Sequence, residues 1–335
     1  MPGLAAGLVL AIVLSVGVGA VSISPQQVLA IILNHLGLNF DVAYTAQQDA
    51  VVWSIRLPRV VLAVLVGSGL AVSGAALQGM FRNPLADPGL IGVSSGAALG
   101  AVIALGLGIS WFGIATTPLF AFVGGVTTAV IAYSLARNHG RTEIVTLVLA
   151  GIALNTFAGA GTSMVTFVAN DAQLRAIIFW SLGSLGSATW QSVAAAAPFV
   201  ILGLLVSLRW GHPLNLMVLG EREARHLGID TERMRVSVIV FTALMTGATV
   251  AVAGIIAFVG LIVPHLVRLV AGPDHRVLIP ASALGGALLV VLADLVARNL
   301  VSPLELPLGV LTALIGGPFL LFLMLRTRRA QGGWG

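Results

Sequence analysis

The 335-residue chain contains no cysteine and no lysine. Without cysteine it forms neither a disulfide nor a thiolate-ligated metal or iron–sulfur site. Without lysine it cannot build a standard P-loop, whose lysine reaches the β- and γ-phosphates of a nucleotide. A standard ATP-binding site is therefore excluded from this chain. Charge is scarce too. Charged residues make up 9% of the chain, against roughly 25% in a soluble domain. An HExxH metalloprotease motif is missing, and no paired carboxylates share an apolar helix face. The sequence therefore gives little support to a membrane-embedded enzyme.

What is present is apolar. Hydrophobic residues make up 58% of the chain and the mean hydropathy is +1.04. Runs of about 20 apolar residues, enough for a ~30 Å hydrocarbon core, recur from end to end. The alternating ten-residue segments of a barrel are absent. The chain reads as one all-α polytopic domain over residues 1–335, with about ten transmembrane helices. These are expected near 4–22, 56–79, 90–108, 113–136, 142–168, 191–208, 235–254, 257–270, 277–298 and 306–325. The first run has no basic leader and is long for a signal peptide, so it is expected to be a retained span. Residues 23–55 are too polar to span and read as a surface excursion with a short helix.

Ten spans put both termini on one side. With that side cytoplasmic, thirteen of the seventeen arginines face inward and only Arg56, Arg59, Arg175 and Arg298 face outward. That bias follows the positive-inside rule. The basic pI reflects arginines scattered through short loops and gives no argument for nucleic acid.

Small residues mark close packing. Gly92, Gly96 and Gly100 lie at four-residue spacing. Gly67–Gly74 and Gly247–Gly254 share a small-residue pattern, each followed by a Phe-containing turn and a proline. The expected topology runs them in opposite directions, a weak inverted repeat of the kind transporters use. The expected fifth helix carries Asn155, Thr162, Ser163 and Met164 among glycines. Any one of these polar residues serves helix packing equally well. Together they suggest a wet passage.

The longest polar stretch on the expected cytoplasmic side is 209–235. Within it Glu221–Leu227 should form two helical turns, with acids at the start and Arg225 and His226 at the end, complementing the macrodipole. Gly220 precedes it and Gly228 suits the C′ position. Leu216, Leu219 and Leu227 give it an apolar side. So short a helix is unstable alone, and its acids disfavour a lipid surface. It calls for a partner.

Over almost its full length the chain resembles the permease subunits of the ATP-binding-cassette importers for vitamin B12, ferric siderophores and haem. The resemblance rests on RLPR at 56–59, NPLADPGLIGVSSGA at 83–97, LGEREARHLGI at 219–229, FVGLIVPHLVRL at 258–269, ADLVAR at 293–298 and ELPLGVLTALIGGPFL at 305–320. It implies a homodimer in the bacterial cytoplasmic membrane with the passage on its axis. Two ATPase subunits binding ATP and Mg would dock below, and a periplasmic or lipid-anchored binding protein above. No cofactor is implied in this chain.

The resemblance also implies roles. Arg56, Arg59 and Arg298 would meet acids of the binding protein. Leu219, Gly220, Glu221, Arg222, Arg225, Leu227 and Gly228 would form the coupling helix for the ATPase. Asn83, Leu85 and Thr142 would form the cytoplasmic gate. Glu143 departs from the small hydroxyl residue more usual beside that gate. Residues 171–190 are similar to a stretch of haem permeases, so haem is the expected cargo, with siderophore or cobalamin as alternatives. An ion-coupled transporter would need ionisable groups at the midplane. The candidates Asp294 and Glu305 are expected near an end.

Overall fold

The computed structural model describes residues 1–19, 21–38, 40–138, 140–301 and 304–330. α1 (Pro2–Gly17) opens with proline in its first turn, where the missing N–H costs nothing. The polar excursion follows. Capping boxes open its two short helices, Ser24 with Gln27 at α2 (Pro25–His35) and Thr45 with Gln48 at α3 (Ala46–Ala50). α3 does not end there. A π-helical turn, Val51–Arg56, carries it into α4 (Leu57–Phe81), giving one rod of 36 residues from Ala46 to Phe81. At 1.5 Å per residue it is about 54 Å long, more than the ~30 Å hydrocarbon core. The last third of the expected surface excursion is therefore part of this rod.

A 3₁₀ turn at Pro88–Ile91 leads into α5 (Val93–Gly106), then α6 (Thr116–Ala136). A two-stranded antiparallel hairpin, β1 (Arg137–Asn138) and β2 (Arg141–Thr142), precedes α7 (Ile144–Val168). Next come α8 (Asp171–Ser181), α9 (Trp190–Ser207), α10 (Gly211–Leu219), α11 (Glu221–His226) and α12 (Thr231–Ala253). α13 (Val259–Ala271), α14 (His275–Asn299) and α15 (Leu308–Ala330) complete the bundle.

All ten expected spans are helices. Six, including α4, α12 and α14, are long and apolar enough to cross a bilayer. α1, α5, α13 and the Leu308–Phe322 part of α15 are shorter apolar helices. α8 and α10 were not expected as helices.

α4 stands in the middle. Nearly all its residues from Val60 to Met80 are buried, and α9, α12, α13 and α14 pack around it. A helix apolar on every side belongs in such a place. Its glycines permit the approach. Gly67 lies on the backbone of Gly286 and Gly74 on that of Gly260, where an added Cβ would overlap a carbonyl oxygen. Gly96 and Gly100 do the same for α5 against α6, as their spacing suggested. Gly247 lies in α12, which packs on α4. The two non-glycine residues with positive φ among the described residues, Arg82 and Phe258, stand in the turns after the two similar segments.

Replacing Gly74 with leucine should destabilise the protein by about 1–3 kcal/mol, the usual overpacking penalty. Thermal unfolding in detergent measures it. Gly159 has nothing within 4 Å of an added Cβ. Gly159→Ala should therefore be neutral or stabilise by about 0.5–1 kcal/mol.

Candidate functional site

Polar side chains gather at the two ends of the bundle. At one end, α1 terminates beside the start of α4 and the last turns of α14. The last carbonyls of a helix lack intrahelical donors. Here Arg56 supplies two of them: Nη1 donates to Val16 O at 2.7 Å and Gly17 O at 3.0 Å, while Nη2 donates to Val21 O, beyond the helix, at 2.7 Å. Arg298 donates to Ser15 O and, at 3.1 Å, to Ser15 Oγ. Two guanidiniums thus sit at the negative end of the α1 macrodipole.

Arg59 lies one turn after Arg56. Its Nε and Nη2 donate to the Asp294 carboxylate at 3.0 Å, and Nη1 to Glu305 Oε1 at 2.9 Å. Arg59 is 7% and Asp294 2% exposed. The outward display expected of these arginines is thus corrected for Arg56 and Arg59: both are buried, with their guanidiniums bound within the fold, whereas Arg298 is half-buried and donates to Ser15 through Nη2 while its Nε has no partner. Asp294 and Glu305 are the anchors of Arg59. The Asp294-x-x-x-Arg298 spacing marks one charged helix face but carries no sign of which partner it meets.

The opposite end holds the expected gate and coupling residues. α4 ends at Arg82 in the left-handed conformation, φ 51°, with Asn83 N donating to Gln78 O at 3.1 Å. Asn83 Oδ1 accepts from Leu85 N at 2.9 Å and so shapes an exposed tip. Beyond it Asp87 Oδ1 accepts from Gly89 N at 2.8 Å and caps the 3₁₀ turn. Burial pushes the Asp87 carboxyl up from its ordinary value, and the Gly89 N–H pulls the other way. A cavity of about 240 Å³ separates this hairpin from the non-helical 254–258 stretch before α13.

α11 begins after Gly220, φ 133°, and ends in a Schellman motif: Gly228 N donates to Arg225 O at 2.9 Å and Ile229 N to Ala224 O at 3.0 Å. Gly228 has φ 86°, which favours glycine. Leu219 and Leu227 flank the helix and are 65% and 58% exposed. Arg222 is exposed, and Arg225 reaches back to Glu221 O at 3.1 Å. Ala224 is buried and packs with Met234 and Val238.

Three anchors missed in the sequence hold this segment. Asn215 of α10 donates to Asp274 Oδ1 at 2.6 Å and accepts from His275 N at 2.9 Å. Trp210 Nε1 donates to Ser237 Oγ at 3.0 Å. Arg235 binds Glu221, and its Nη1 donates to Thr142 O at 2.9 Å. Thr142, expected at the gate, is 3% exposed.

Between the ends, α7 divides its polar residues. Asn155 Nδ2 donates to Gly89 O at 2.9 Å and Asn155 Oδ1 accepts from Ser95 Oγ. Asn155 therefore ties α7 to the hairpin and α5. Thr162 is half-buried. Ser163 is exposed and Met164 is 75% exposed.

A many-spanning helical bundle with this displayed short helix at one end fits the transmembrane subunit of a transporter. Residues 7–326 match the FecCD transport family, and the chain belongs to that family. It is 43% identical to the hemin transport system permease protein HmuU of Yersinia pestis, over 90% of this chain and 92% of that one. It is 47% identical to the cobalamin import system permease protein BtuC of Halobacterium salinarum, over 88% and 78%. A solved structure described as an inward-facing conformation of a metal-chelate type ABC transporter is 35% identical. It aligns with a TM-score of 0.82 over 97% of this chain and 98% of that one. The chain is a non-catalytic ABC importer permease, and ATP hydrolysis lies in a partner subunit.

Arg59→Leu should cost about 3–5 kcal/mol, because it strands a buried carboxylate. Arg59→Leu/Asp294→Leu should recover most of that loss, as read by unfolding in detergent. Asp87→Asn should raise thermal stability at neutral pH. A carboxyl with a raised folded pKa stabilises the fold below its unfolded value, and this is lost as pH rises through the folded value. The gap between variant and parent should therefore close on acidification.

Proposed function

We propose that this permease carries haem delivered by a binding protein, as a homodimer with the passage on its axis. The displayed α11, with Leu219 and Leu227 at its two ends, carries the importer reading. Leu219, Gly220, Glu221, Arg222, Arg225, Leu227 and Gly228 form the contact with an ATPase subunit that binds ATP and Mg, two per dimer. Charged groups at the centre and apolar groups at the rim suit a cleft in a soluble partner better than a lipid surface.

The haem reading is supported by the hemin relative, whose chain is matched over 92% of its length. A second reading, cobalamin, is favoured by the 47% identity to the archaeal cobalamin permease. A ferric siderophore is the remaining cargo of the same importer class. α7 exposes Phe157, Met164 and Phe167 with Ser163 alongside. This face lines the passage against the second copy. Thr162 stands at its edge and Asn155 supports it from behind. Asn83, Leu85 and Thr142 close the cytoplasmic end. Both termini lie in the cytoplasm of a bacterial cell, consistent with the arginine bias.

Docking of the binding protein belongs to the opposite end. Arg56, Arg59 and Arg298 act there by fixing the shape of the face, through α1 and the loop carrying Glu305. Glu305 keeps its side chain 45% exposed.

Reconstitution in proteoliposomes with the ATPase and binding protein tests the assignment. ATP-dependent accumulation of haem, with hydrolysis stimulated by haem-loaded binding protein, is the expected outcome. Stimulation by cobalamin-loaded protein alone would establish the second reading. Uptake driven by an ion gradient without any ATPase would overturn both.

A further inference from the structure

Thr142 has three polar backbone and side-chain groups, and α12 takes all of them. Its N–H donates to Glu232 Oε2 at 3.0 Å and its hydroxyl to Glu232 Oε1. Its carbonyl accepts from Arg235 Nη1 at 2.9 Å. Arg235, one turn after Glu232 on α12, also pairs with Glu221, the first residue of α11. Its guanidinium lies 3.8 Å from Glu232, and the residue is 5% exposed. Glu221, Arg235, Glu232 and Thr142 therefore make one continuous node joining α11, the base of α12 and the turn that starts α7. Arg82, the residue before Asn83, is close enough for its charge to act on Arg235.

The physical consequence concerns which contacts break first. Pulling α11 from Arg235, or Arg235 from Thr142, would strand a buried charge or a buried carbonyl, and both are strongly unfavourable. The exposed tip at Asn83–Leu85 carries no such penalty. A force on α11 is thus more easily accommodated by moving the whole node than by tearing it.

We propose that Arg235, together with Glu232, is the positioning residue that makes α11 and the Thr142 turn move as one body. A displacement imposed on α11 is thereby delivered to the inner mouth of the passage. The proposal rests on the importer reading above, and it assigns the transmission to residues that touch neither cargo nor ATPase.

The test uses the complete reconstituted complex. The chain has no cysteine of its own, so spin labels at His226→Cys and Arg141→Cys, both exposed positions outside the contact set named above, report α11 and the β-hairpin directly. In the parent, the distance between labels should be the same in nucleotide-free and ATP-trapped states. In Arg235→Met it should differ between them. Cargo moved per ATP hydrolysed should fall about tenfold in Arg235→Met and Glu232→Gln, the scale of a network coupling. Co-purification with the ATPase subunit should be retained.

Arg235→Lys keeps the charge but loses the fork that reaches two partners, so it should recover only part of the ratio. If Arg235→Met fails to assemble, Glu232→Gln, which preserves side-chain shape, carries the same measurement. Parent-like transport per ATP in the assembled variants, with unchanged label distances, would overturn the proposal. A parent complex that cannot couple uptake to ATP would instead overturn the importer reading.

Discussion

The contact of α4 with the backbones of α13 and α14 constrains the rest of the bundle. Gly67 on Gly286 and Gly74 on Gly260 leave no room for a side chain, so α4 has no free face. Helices in a bilayer gain little from hydrophobic burial against one another and depend on close packing and internal polar satisfaction. Once α4 is enclosed, every polar group at its ends must find a partner from the same chain or the adjacent water. The two polar clusters are the result. One lies where α4 enters the bundle and the other where it leaves.

The two clusters solve different problems. At the α1 end, Arg56 and Arg298 satisfy the last carbonyls of a helix, and Arg59 neutralises Asp294. These contacts cross from the first helix to the fourteenth and make that end a single block. At the α11 end the charges bridge smaller pieces: a six-residue helix, a short hairpin and the base of α12. Pieces of that size have little core of their own, so their positions follow the charges that hold them. The first arrangement ties long helices together, and the second is the one we propose to transmit movement.

Much of this was legible in the residues. Hydropathy located all ten apolar helices, because a span must satisfy its backbone internally and cannot vary far in length. α11 was legible to within a residue at each end, since Gly220 and Gly228 mark conformations that other residues avoid. α10 was not, and Pro213 gives no local sign of it. That proline falls in the first helical turn, where a missing N–H is no loss. α8 was missed although Asn170 and Gln173 stand at capping-box spacing.

The partners of the arginines were illegible for another reason. Arg59 and Asp294 are 235 positions apart, and Arg298 and Ser15 are 283. No local spacing signals such a pairing. Asn155 was open between packing and passage for the same reason: nothing local shows that its amide spans the gap to Gly89 and Ser95.

The absence of lysine acquires a structural meaning alongside the functional one. Arg56 reaches three carbonyls, Arg59 two carboxylates, and Arg235 a carboxylate and a carbonyl. Each site needs several donors spread in a plane, from a cation that tolerates poor hydration. A guanidinium provides both, whereas an ammonium is a compact, strongly hydrated point charge. In a chain with 9% charged residues, each buried cation has to hold more than one element. The lack of lysine leaves ATP chemistry to a partner. The reliance on arginine fixes α11 to α12, since Arg235 holds Glu221.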